Sequence, residues 1–306
     1  MKILITDDVH PCLPEGFISM GHQVVWLPEI SLAEVHECVQ DYEGLVVNTK
    51  IRIDKSLADK AMRLRIVARL GSGMDTIDVP YLHSKGIKVI STPEANSTAV
   101  AEHTVGMALN LLRNISRADS QVRKDIWKRE ENRGSELGSM RIGVLGLGHV
   151  GKKLVDLLLA FGATVVAYDP YVALEKQSDR FIQADRPGQL SNCRLISLHV
   201  NLTKETRHMV DKEFIEKMEA PFYLVNTSRG PVVDTLALLD ALQTGKILGA
   251  CLDVFENERP NSYTPQEQDI YNRLHKMENL VLSPHIAGWT HESKERIARS
   301  VLGQWS

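Results

Sequence analysis

The sequence predicts an α/β protein built from two doubly wound parallel sheets. Short apolar segments of strand length alternate with segments of helix length along almost all of the 306 residues. That alternation is typical of parallel sheets whose strands are joined by covering helices. A glycine-rich turn lies in the middle of the chain, so the residues before it require a sheet of their own.

The first ninety residues are predicted to form the smaller sheet. Its strands are expected at residues 2–6, 23–27, 45–49, 66–70 and 88–91. These segments contain no glycine-rich phosphate loop of their own. Ser97 is then a suitable N-cap for a long helix from about residue 98 to residue 116. Because apolar residues surround most of that helix, we expect it to be buried, either between domains or against a second subunit. The polar residues 117–138 follow it.

Residues 141–169 contain a strand, a G-x-G-x-x-G turn, an amphipathic helix and a second strand. Gly146 permits the tight turn, Gly148 lets the backbone approach a pyrophosphate, and Gly151 lets the helix pack closely on the strand. Such a turn alone is weak evidence, but here it lies between a strand and a helix. Asp169 ends the second strand, where a carboxylate accepts ribose hydroxyls and repels a 2′-phosphate. The segment therefore predicts an NAD site and disfavours NADP.

The second sheet is predicted to continue to about six strands. Further strands are expected near residues 195–200, 222–226, 250–254 and 280–282, and residues 257–278 form a polar loop with helical portions. A last helix near residues 292–301 has no strand left to serve in this sheet, so we expect it to return to the first domain. The predicted domains are residues 1–96 with 285–306, and residues 97–284, on either side of a cleft.

Three polar residues follow predicted strands, at the edge where open parallel sheets bind ligands. Arg229 offers a planar fork to a carboxylate. His285 can accept a hydroxyl proton and return it, and Glu258 can hold the imidazole in one tautomer. Singly, each residue is more often a surface or strand-terminating residue. Together, behind a nucleotide-binding turn, they predict hydride transfer between NAD and a 2-hydroxy or 2-keto acid.

The chain resembles the D-isomer-specific 2-hydroxyacid dehydrogenases over nearly its whole length. The motifs that carry the resemblance are residues 69–73 (RLGSG), 96–103 (NSTAVAEH), 146–151 (GLGHVG), 225–230 (VNTSRG), 252–258 (LDVFENE) and 283–290 (SPHIAGWT). The resemblance implies a Rossmann-type NAD domain inserted in a flavodoxin-like substrate domain, with a cleft between them. It also implies that Arg229 binds the substrate carboxylate or keto oxygen, that His285 is the acid/base, and that Glu258 is its partner.

The resemblance further implies a cofactor site and a substrate site. The implied cofactor-binding residues are Thr98, Gly146, Gly148, His149, Val150, Gly151, Asp169, His199, Thr227, Ser228 and Asp253, the last of these holding the nicotinamide carboxamide. The implied substrate-binding residues are Asn48, Lys50, Arg69, Leu70, Gly71, Ser72, Gly73 and Trp289. The backbone N–H groups of residues 70–73 suit a carboxylate. His149 stands at a position often held by Arg, and Asn201 at one often held by proline.

The substrate remains open between two kinds of acid. A positive rim from Arg69 and Lys50 favours 3-phosphoglycerate, in a short form without a regulatory domain. A pocket walled by Trp289 favours glyoxylate, hydroxypyruvate or lactate, as in glyoxylate/hydroxypyruvate-type reductases. For Lys50, a solvated loop lysine is the slightly favoured interpretation, and for Trp289, packing between domains is an equal alternative. Two other classes are a non-catalytic NAD-sensing binding module, which retention of Arg229, Glu258 and His285 disfavours, and an NADP-linked reductase, which Asp169 disfavours.

Composition narrows the class of protein further. The chain is 43% hydrophobic and 25% charged, with a net charge of −3, so we expect no nucleic-acid or membrane partner. Its four cysteines form no CxxC pair, which predicts neither a disulfide framework nor a metal site. No apolar run reaches transmembrane length, and the first residues resemble a strand rather than a signal peptide. We therefore expect a cytoplasmic enzyme, and a homodimer.

Overall fold

The computed structural model describes residues 1–172 and 178–305. The chain forms two compact units, Met1–Ser97 with Trp289–Ser306, and Thr98–Gly288. These boundaries lie within four residues of the predicted ones. Ser306, which the prediction assigns to the first domain, and residues 173–177, which it assigns to the second, lie outside the described residues.

The first unit contains a wholly parallel five-stranded sheet. Its strands are β1 (Lys2–Ile5), β2 (Gln23–Trp26), β3 (Gly44–Val47), β4 (Ile66–Arg69) and β5 (Lys88–Ile90), in the order β2-β1-β3-β4-β5. Its helices are α1 (Cys12–Ser19), α2 (Leu32–Cys38), α3 (Lys55–Lys60), α4 (Val79–Ser84) and α11 (His291–Gln304). This strand order is the flavodoxin-like one. Helix α11 packs on α1, where Phe17 and Trp305 have ring centroids 4.5 Å apart.

The second unit contains a wholly parallel seven-stranded sheet. Its strands are β6 (Arg141–Leu145), β7 (Thr164–Tyr168), β8 (Phe181–Ala184), β9 (Leu195–Leu198), β10 (Phe222–Asn226), β11 (Ile247–Leu252) and β12 (Leu280–Leu282), in the order β12-β11-β10-β9-β6-β7-β8. Its helices include α7 (His149–Ala160), α8 (Lys212–Lys217), α9 (Thr235–Thr244) and α10 (Pro265–Leu274). The order reverses between β6 and β9, which is the point at which such sheets bind nucleotides.

The predicted fold class is confirmed, with one strand added to the second sheet. The prediction of about six strands omitted β8, a four-residue segment on the outer side of β7. Its sequence, FIQA, includes a polar glutamine and lacks the regular alternation that marks a strand in sequence.

The predicted long helix from residue 98 to residue 116 is in fact two helices, α5 (Ser97–Leu112) and α6 (Ile115–Val122). The break falls at Asn114, whose φ of 55° is incompatible with a continuing right-handed helix. The apolar residues of α5 belong to the core of the second unit, together with residues of β6 and α7. Their burial within that core requires no second subunit. None of the eight residues of α6 is buried, which fits the polar, charged character predicted for residues 117–138.

Within the described residues, no helix is long and apolar enough to cross a membrane. The same part of the chain has no group of three or more His, Cys, Asp or Glu side chains arranged to hold a metal ion. All four cysteines are free thiols, and Cys193 and Cys251 are buried. Burial raises the pKa of the Cys193 thiol to about 11, so this thiol is protonated at neutral pH.

Candidate functional site

The glycine-rich turn joins β6 to α7, and its three glycines face different surroundings. A Cβ atom on Gly146, whose φ is 97°, would lie 2.5 Å from the carbonyl oxygen of His199. A Cβ on Gly151 would lie 2.0 Å from the carbonyl oxygen of Gly146. A Cβ on Gly148 would meet nothing within 4 Å. The outer two glycines are therefore required by the fold itself, whereas the middle one keeps an open surface at the start of α7. This arrangement fits a bound pyrophosphate.

Asp169 follows β7 and lies beside this turn. Its Oδ2 accepts a hydrogen bond of 2.7 Å from the N–H of Leu147, and its Oδ1 accepts one of 2.8 Å from the N–H of Tyr171. The carboxylate is therefore held in place by backbone on both sides. A carboxylate has about four acceptor positions, so ribose hydroxyls can still bind to it.

His199 follows β9, across the switch point from β6. Its N–H donates to the carbonyl oxygen of Leu145 at 2.7 Å, and its Nε2 lies 2.8 Å from the hydroxyl of Ser197. Burial lowers the pKa of His199 to about 3, so this imidazole is neutral at physiological pH. His149, the first residue of α7, is exposed, and Val150 beside it is half-buried.

The loop after β10 is shaped by a buried asparagine that the sequence analysis did not single out. Asn226 accepts hydrogen bonds from the N–H and the hydroxyl of Ser228, at 3.1 and 2.9 Å. Its Nδ2 donates to the carbonyl oxygen of Arg229 at 2.9 Å. The Thr227 hydroxyl lies 2.9 Å from that of Thr104 on α5, within the same unit. These hydrogen bonds hold the turn after β10, so that Arg229 lies close to the end of the strand. The amide that ends the apolar run 222–225 is the sequence signal for it.

Gly230 allows the Arg229 loop to lie against the loop after β11. A Cβ on Gly230 would lie 1.9 Å from the carbonyl carbon and oxygen of Phe255, and 2.5 Å from the nitrogen of Glu256. Because these are backbone atoms, no rotamer change can make room. Glycine at position 230 therefore sets how closely the segments bearing Arg229 and Glu258 approach each other.

The structure brings His285 and Glu258 into contact. Nδ1 of His285 lies 2.8 Å from Oε2 of Glu258, and both side chains are partly exposed. The second carboxylate oxygen of Glu258 accepts a weak hydrogen bond of 3.4 Å from the N–H of Phe255. Since Nδ1 is used by the carboxylate, Nε2 is the nitrogen of His285 available for proton transfer.

Asp253 holds the segment that carries His285. Its side chain is 1% exposed, and it accepts hydrogen bonds from the Ser283 hydroxyl (2.5 Å) and from the N–H groups of Ile286 and Ala287 (both 2.9 Å). Its carbonyl oxygen accepts from the N–H of His285 at 2.7 Å. His285 has a left-handed φ of 57°, and the N–H groups after it converge on the buried carboxylate.

His103 on α5 extends this network within the same unit. Its Nε2 lies 3.0 Å from Ser283 Oγ and 3.6 Å from Asp253 Oδ1. Because the Ser283 hydroxyl donates to Asp253, its oxygen accepts from Nε2 of His103. The prediction that Asp253 contacts the nicotinamide stays a prediction. The structure adds that Asp253 and His103 hold Ser283 in place, a role that the sequence analysis missed. His103 and Ser283 lie 180 residues apart in the chain, so no local pattern indicates their contact.

The predicted substrate-binding residues lie in the first unit. Arg69 ends β4 and is 9% exposed, and its Nη1 donates to the carbonyl oxygen of Leu70 at 2.5 Å. Gly71 has a φ of 131°, and a Cβ there would lie 1.9 Å from that same Nη1. The guanidinium therefore packs beneath its own loop, with Ser72 exposed and Gly73 half-buried beyond it.

Three further predicted substrate residues have contrasting environments. The N–H of Asn48 donates to Oδ2 of Asp7 at 2.9 Å. The ammonium of Lys50 donates to the carbonyl oxygen of Pro28. Trp289 is 68% exposed. Thr98, the predicted cofactor contact at the start of α5, is half-buried.

Comparison with known proteins places the chain among hydroxyacid dehydrogenases. The model of the family described as D-isomer specific 2-hydroxyacid dehydrogenase, NAD binding domain, matches residues 105–287. The D-3-phosphoglycerate dehydrogenase of Methanocaldococcus jannaschii is 34% identical over 99% of this chain and 56% of its own length. The hydroxypyruvate reductase of Thermotoga maritima is 34% identical over 86% of this chain and 84% of its own length.

A solved structure agrees with these sequence matches. The D-lactate dehydrogenase of Aquifex aeolicus, in complex with NAD and lactic acid, superimposes with a TM-score of 0.85 at 30% identity, covering 99% of this chain and 93% of that one. The chain spans about half the length of the phosphoglycerate dehydrogenases that it matches. By sequence and by structure, the chain belongs to the D-isomer-specific 2-hydroxyacid dehydrogenase family.

Proposed function

We propose that this protein is an NAD-dependent D-2-hydroxyacid dehydrogenase that interconverts a 2-hydroxy acid and its 2-keto acid. The observation that carries the proposal is the contact between His285 and Glu258 at the carboxyl ends of β11 and β12. A carboxylate on Nδ1 leaves Nε2 in position to exchange a proton with a substrate oxygen. Membership of the family supports the same reaction.

In this proposal the cofactor lies along the turn between β6 and α7. The open surface at Gly148 receives the pyrophosphate, and Asp169 binds the ribose. The remaining cofactor contacts are proposed to be Thr98, His149, Val150, His199, Thr227, Ser228 and Asp253. When bound there, NAD would supply the hydride acceptor for C2 of the substrate in oxidation, and NADH would supply the hydride in reduction. The neutral His199 places no positive charge beside the nucleotide at pH 7.

Three side chains carry out the rest of the reaction. Arg229 binds the substrate carboxylate and the neighbouring oxygen, which polarises the C2–O bond in the keto acid. In oxidation, Nε2 of His285 takes the hydroxyl proton as the electrons of the C2–H bond leave with the hydride. In reduction, the same nitrogen returns the proton to the carbonyl oxygen. Glu258 stabilises the imidazolium, which forms in oxidation and is the proton donor in reduction.

We propose 3-phosphoglycerate as the first substrate to test. Two curated relatives that match 99% and 96% of this chain bear the name D-3-phosphoglycerate dehydrogenase. The Arg69 guanidinium lies against the loop of residues 69–73, where its Nη1 donates to the Leu70 carbonyl, and a cation beside this loop suits an anionic substrate. The second candidate is hydroxypyruvate or glyoxylate. It is favoured by Lys50, whose ammonium is used by the Pro28 carbonyl, and by similarity to a hydroxypyruvate reductase.

The first experiment is NADH oxidation against phosphohydroxypyruvate, hydroxypyruvate, glyoxylate and pyruvate. Preference for the phosphorylated acid supports phosphoglycerate dehydrogenation, and preference for a small acid supports the second candidate. The His285→Ala variant should lower kcat by about two to four orders of magnitude with unchanged NADH affinity. Activity that survives this substitution would remove His285 from the mechanism. If the wild type oxidised NADH with none of these four acids, the result would favour a non-catalytic NAD-binding module.

We further propose that the protein is cytoplasmic and forms a homodimer. Free thiols suit a reducing compartment. Ile115 and Val122 on α6, and Ile126 and Trp127 after it, are exposed, with Trp127 at 77%. Val122, Ile126 and Trp127 line one surface pocket together with Ala118, and exposed apolar residues grouped in this way are typical of a protein interface. Sedimentation of the wild type should give twice the mass of one chain, and sedimentation of the Trp127→Asp variant should give the mass of a single chain. A wild-type monomer would contradict the dimer.

A further inference from the structure

A second histidine–glutamate pair connects the loop that carries Glu258 to the loop after β9. Nε2 of His208 lies 2.6 Å from Oε1 of Glu256, with side chains 42% and 28% exposed. The other carboxylate oxygen of Glu256 accepts a hydrogen bond of 2.9 Å from the N–H of Thr235, the first residue of α9. Each oxygen of this carboxylate therefore binds a different segment of the chain.

The His208 side of the pair is also tied to the loop that bears Arg229. The N–H of His208 donates to the carbonyl oxygen of Pro231 at 2.8 Å. His208 has a left-handed φ of 53°, which costs free energy in a residue with a Cβ and is sustained by such contacts. The pair thus joins the loops after β9, β10 and β11, and two of those loops bear Arg229 and Glu258.

The residue after Glu256 supplies the next anchor. The N–H of Asn257 donates to the Tyr271 hydroxyl at 3.1 Å, and its Nδ2 donates to Oε1 of Glu267 at 3.2 Å. Both partners belong to α10. Gly230 lies directly against Phe255 and Glu256 on the other side. Glu258 itself is exposed, so the position of its carboxylate depends on the backbone that these contacts fix.

We infer that His208 and Glu256 are positioning residues for the acid/base pair. They hold the loop after β11 so that the Glu258 carboxylate remains on Nδ1 of His285, and this inference rests on the proposed function. Removal of the Glu256 carboxylate leaves the Thr235 N–H and the His208 imidazole without that acceptor. The loop then relaxes, and Glu258 and His285 separate for part of the time.

The kinetic test compares Glu256→Ala with Glu256→Gln. We expect Glu256→Ala to lower kcat about tenfold with NADH affinity within a factor of two, because small displacements of catalytic groups are costly. Glu256→Gln keeps an acceptor for Thr235 and a polar partner for His208, so it should restore most of the activity. His208→Ala should lower kcat similarly. In a Glu258→Gln background, Glu256→Ala should cause no further loss, because it acts through Glu258.

The control is Glu213→Ala, which removes an exposed ion pair with Lys217 on α8. It should leave kcat unchanged. The inference is wrong if Glu256→Ala lowers only the thermal stability and leaves kcat intact. It is equally wrong if the kcat losses of Glu256→Ala and Glu258→Gln multiply in the double variant.

A spectroscopic test does not depend on turnover. The ¹³Cε1 chemical shift of His285, measured by NMR at fixed pH, should move in Glu256→Ala towards its value in Glu258→Gln, while that of His149 stays unchanged. An unmoved His285 resonance would overturn the inference. If none of the 2-keto acids supports NADH oxidation by the wild type, the proposed function fails. The His285 resonance then still decides whether Glu256 positions Glu258.

Discussion

Gly146 and Gly148 lie two residues apart in the same turn, yet a side chain would meet protein backbone at Gly146 and open space at Gly148. At Gly146 the space is occupied by the backbone of residue 199, and the φ of 97° is one that L-residues rarely adopt. At Gly148 the φ of −69° suits any residue, and the space is open. Gly146 is therefore required by the fold, whereas we propose that Gly148 leaves room for the cofactor.

This difference predicts opposite phenotypes for two alanine substitutions. Gly146→Ala should lower the free energy of unfolding by about 2–4 kcal/mol, through backbone strain and a clash with the His199 carbonyl. Gly148→Ala should change it by less than about 0.5 kcal/mol but weaken NADH binding at least tenfold, or about 1.4 kcal/mol. Denaturant unfolding without cofactor and a fluorescence titration measure the two effects. Equal stability losses in both variants would contradict the assignment.

Asp169 makes a prediction about the choice of cofactor. Its carboxylate repels a 2′-phosphate, and its oxygens are fixed by the N–H groups of Leu147 and Tyr171. Asp169→Asn removes the charge but keeps an acceptor for one of these groups. We expect the preference for NADH over NADPH to narrow about tenfold, or about 1.4 kcal/mol. An unchanged ratio of the two kcat/KM values would show that another group excludes the phosphate.

At the scale of elements, the segment after β12 depends on β11. The buried Asp253 accepts three hydrogen bonds from donors in residues 283–287. An asparagine would present two N–H donors to a site that already consists of donors. Strand pairing alone therefore does not place His285. The carboxylate of Asp253, directly after the neighbouring strand β11, holds it in place.

Asp253→Asn should consequently destabilise the protein by about 3 kcal/mol and lower kcat. Ser283→Ala is the milder control, because it removes one donor and should cost about 1 kcal/mol. Urea unfolding and steady-state kinetics measure both. If Asp253→Asn weakens NADH binding without loss of stability, the residue acts as a cofactor contact rather than as a scaffold.

The elements themselves could be predicted unequally from the sequence. The five strands of the first sheet and six of the second are strongly apolar and regularly spaced, so local pattern was sufficient. Strand β8 includes a polar glutamine and has no regular alternation, so its pairing with β7 rather than its own pattern defines it as a strand. The break between α5 and α6 depends on the conformation of Asn114, which helical periodicity does not report.

For the whole molecule, His199 links stability to pH. The pKa of an unfolded histidine is about 6.5, whereas burial lowers that of folded His199 to about 3. Below pH 6.5 the unfolded state therefore binds more protons, and the free energy of unfolding decreases as the pH falls towards 3. Between pH 7 and pH 5 this single group removes up to about 2 kcal/mol.

The His199→Gln variant tests this linkage. Glutamine can keep a hydrogen bond to Ser197 but takes up no proton. We expect the variant to lose less stability than the wild type between pH 7 and pH 5, with the difference approaching about 2 kcal/mol. Denaturant unfolding at the two pH values measures it. Equal losses in both proteins would show that His199 is accessible to protons in the folded state.

The sequence by itself determined the two parallel sheets and the position of the glycine-rich turn, and it predicted Arg229, Glu258 and His285 as site residues. These features depend on periodicity and on short spacings, which are local properties of the chain. Only the tertiary structure showed how Gly230 fits against Phe255, how Asp253 and His103 hold Ser283, and how His208 pairs with Glu256. These contacts join segments that are far apart in the chain. They exist only once the strands have paired, and no local pattern records them.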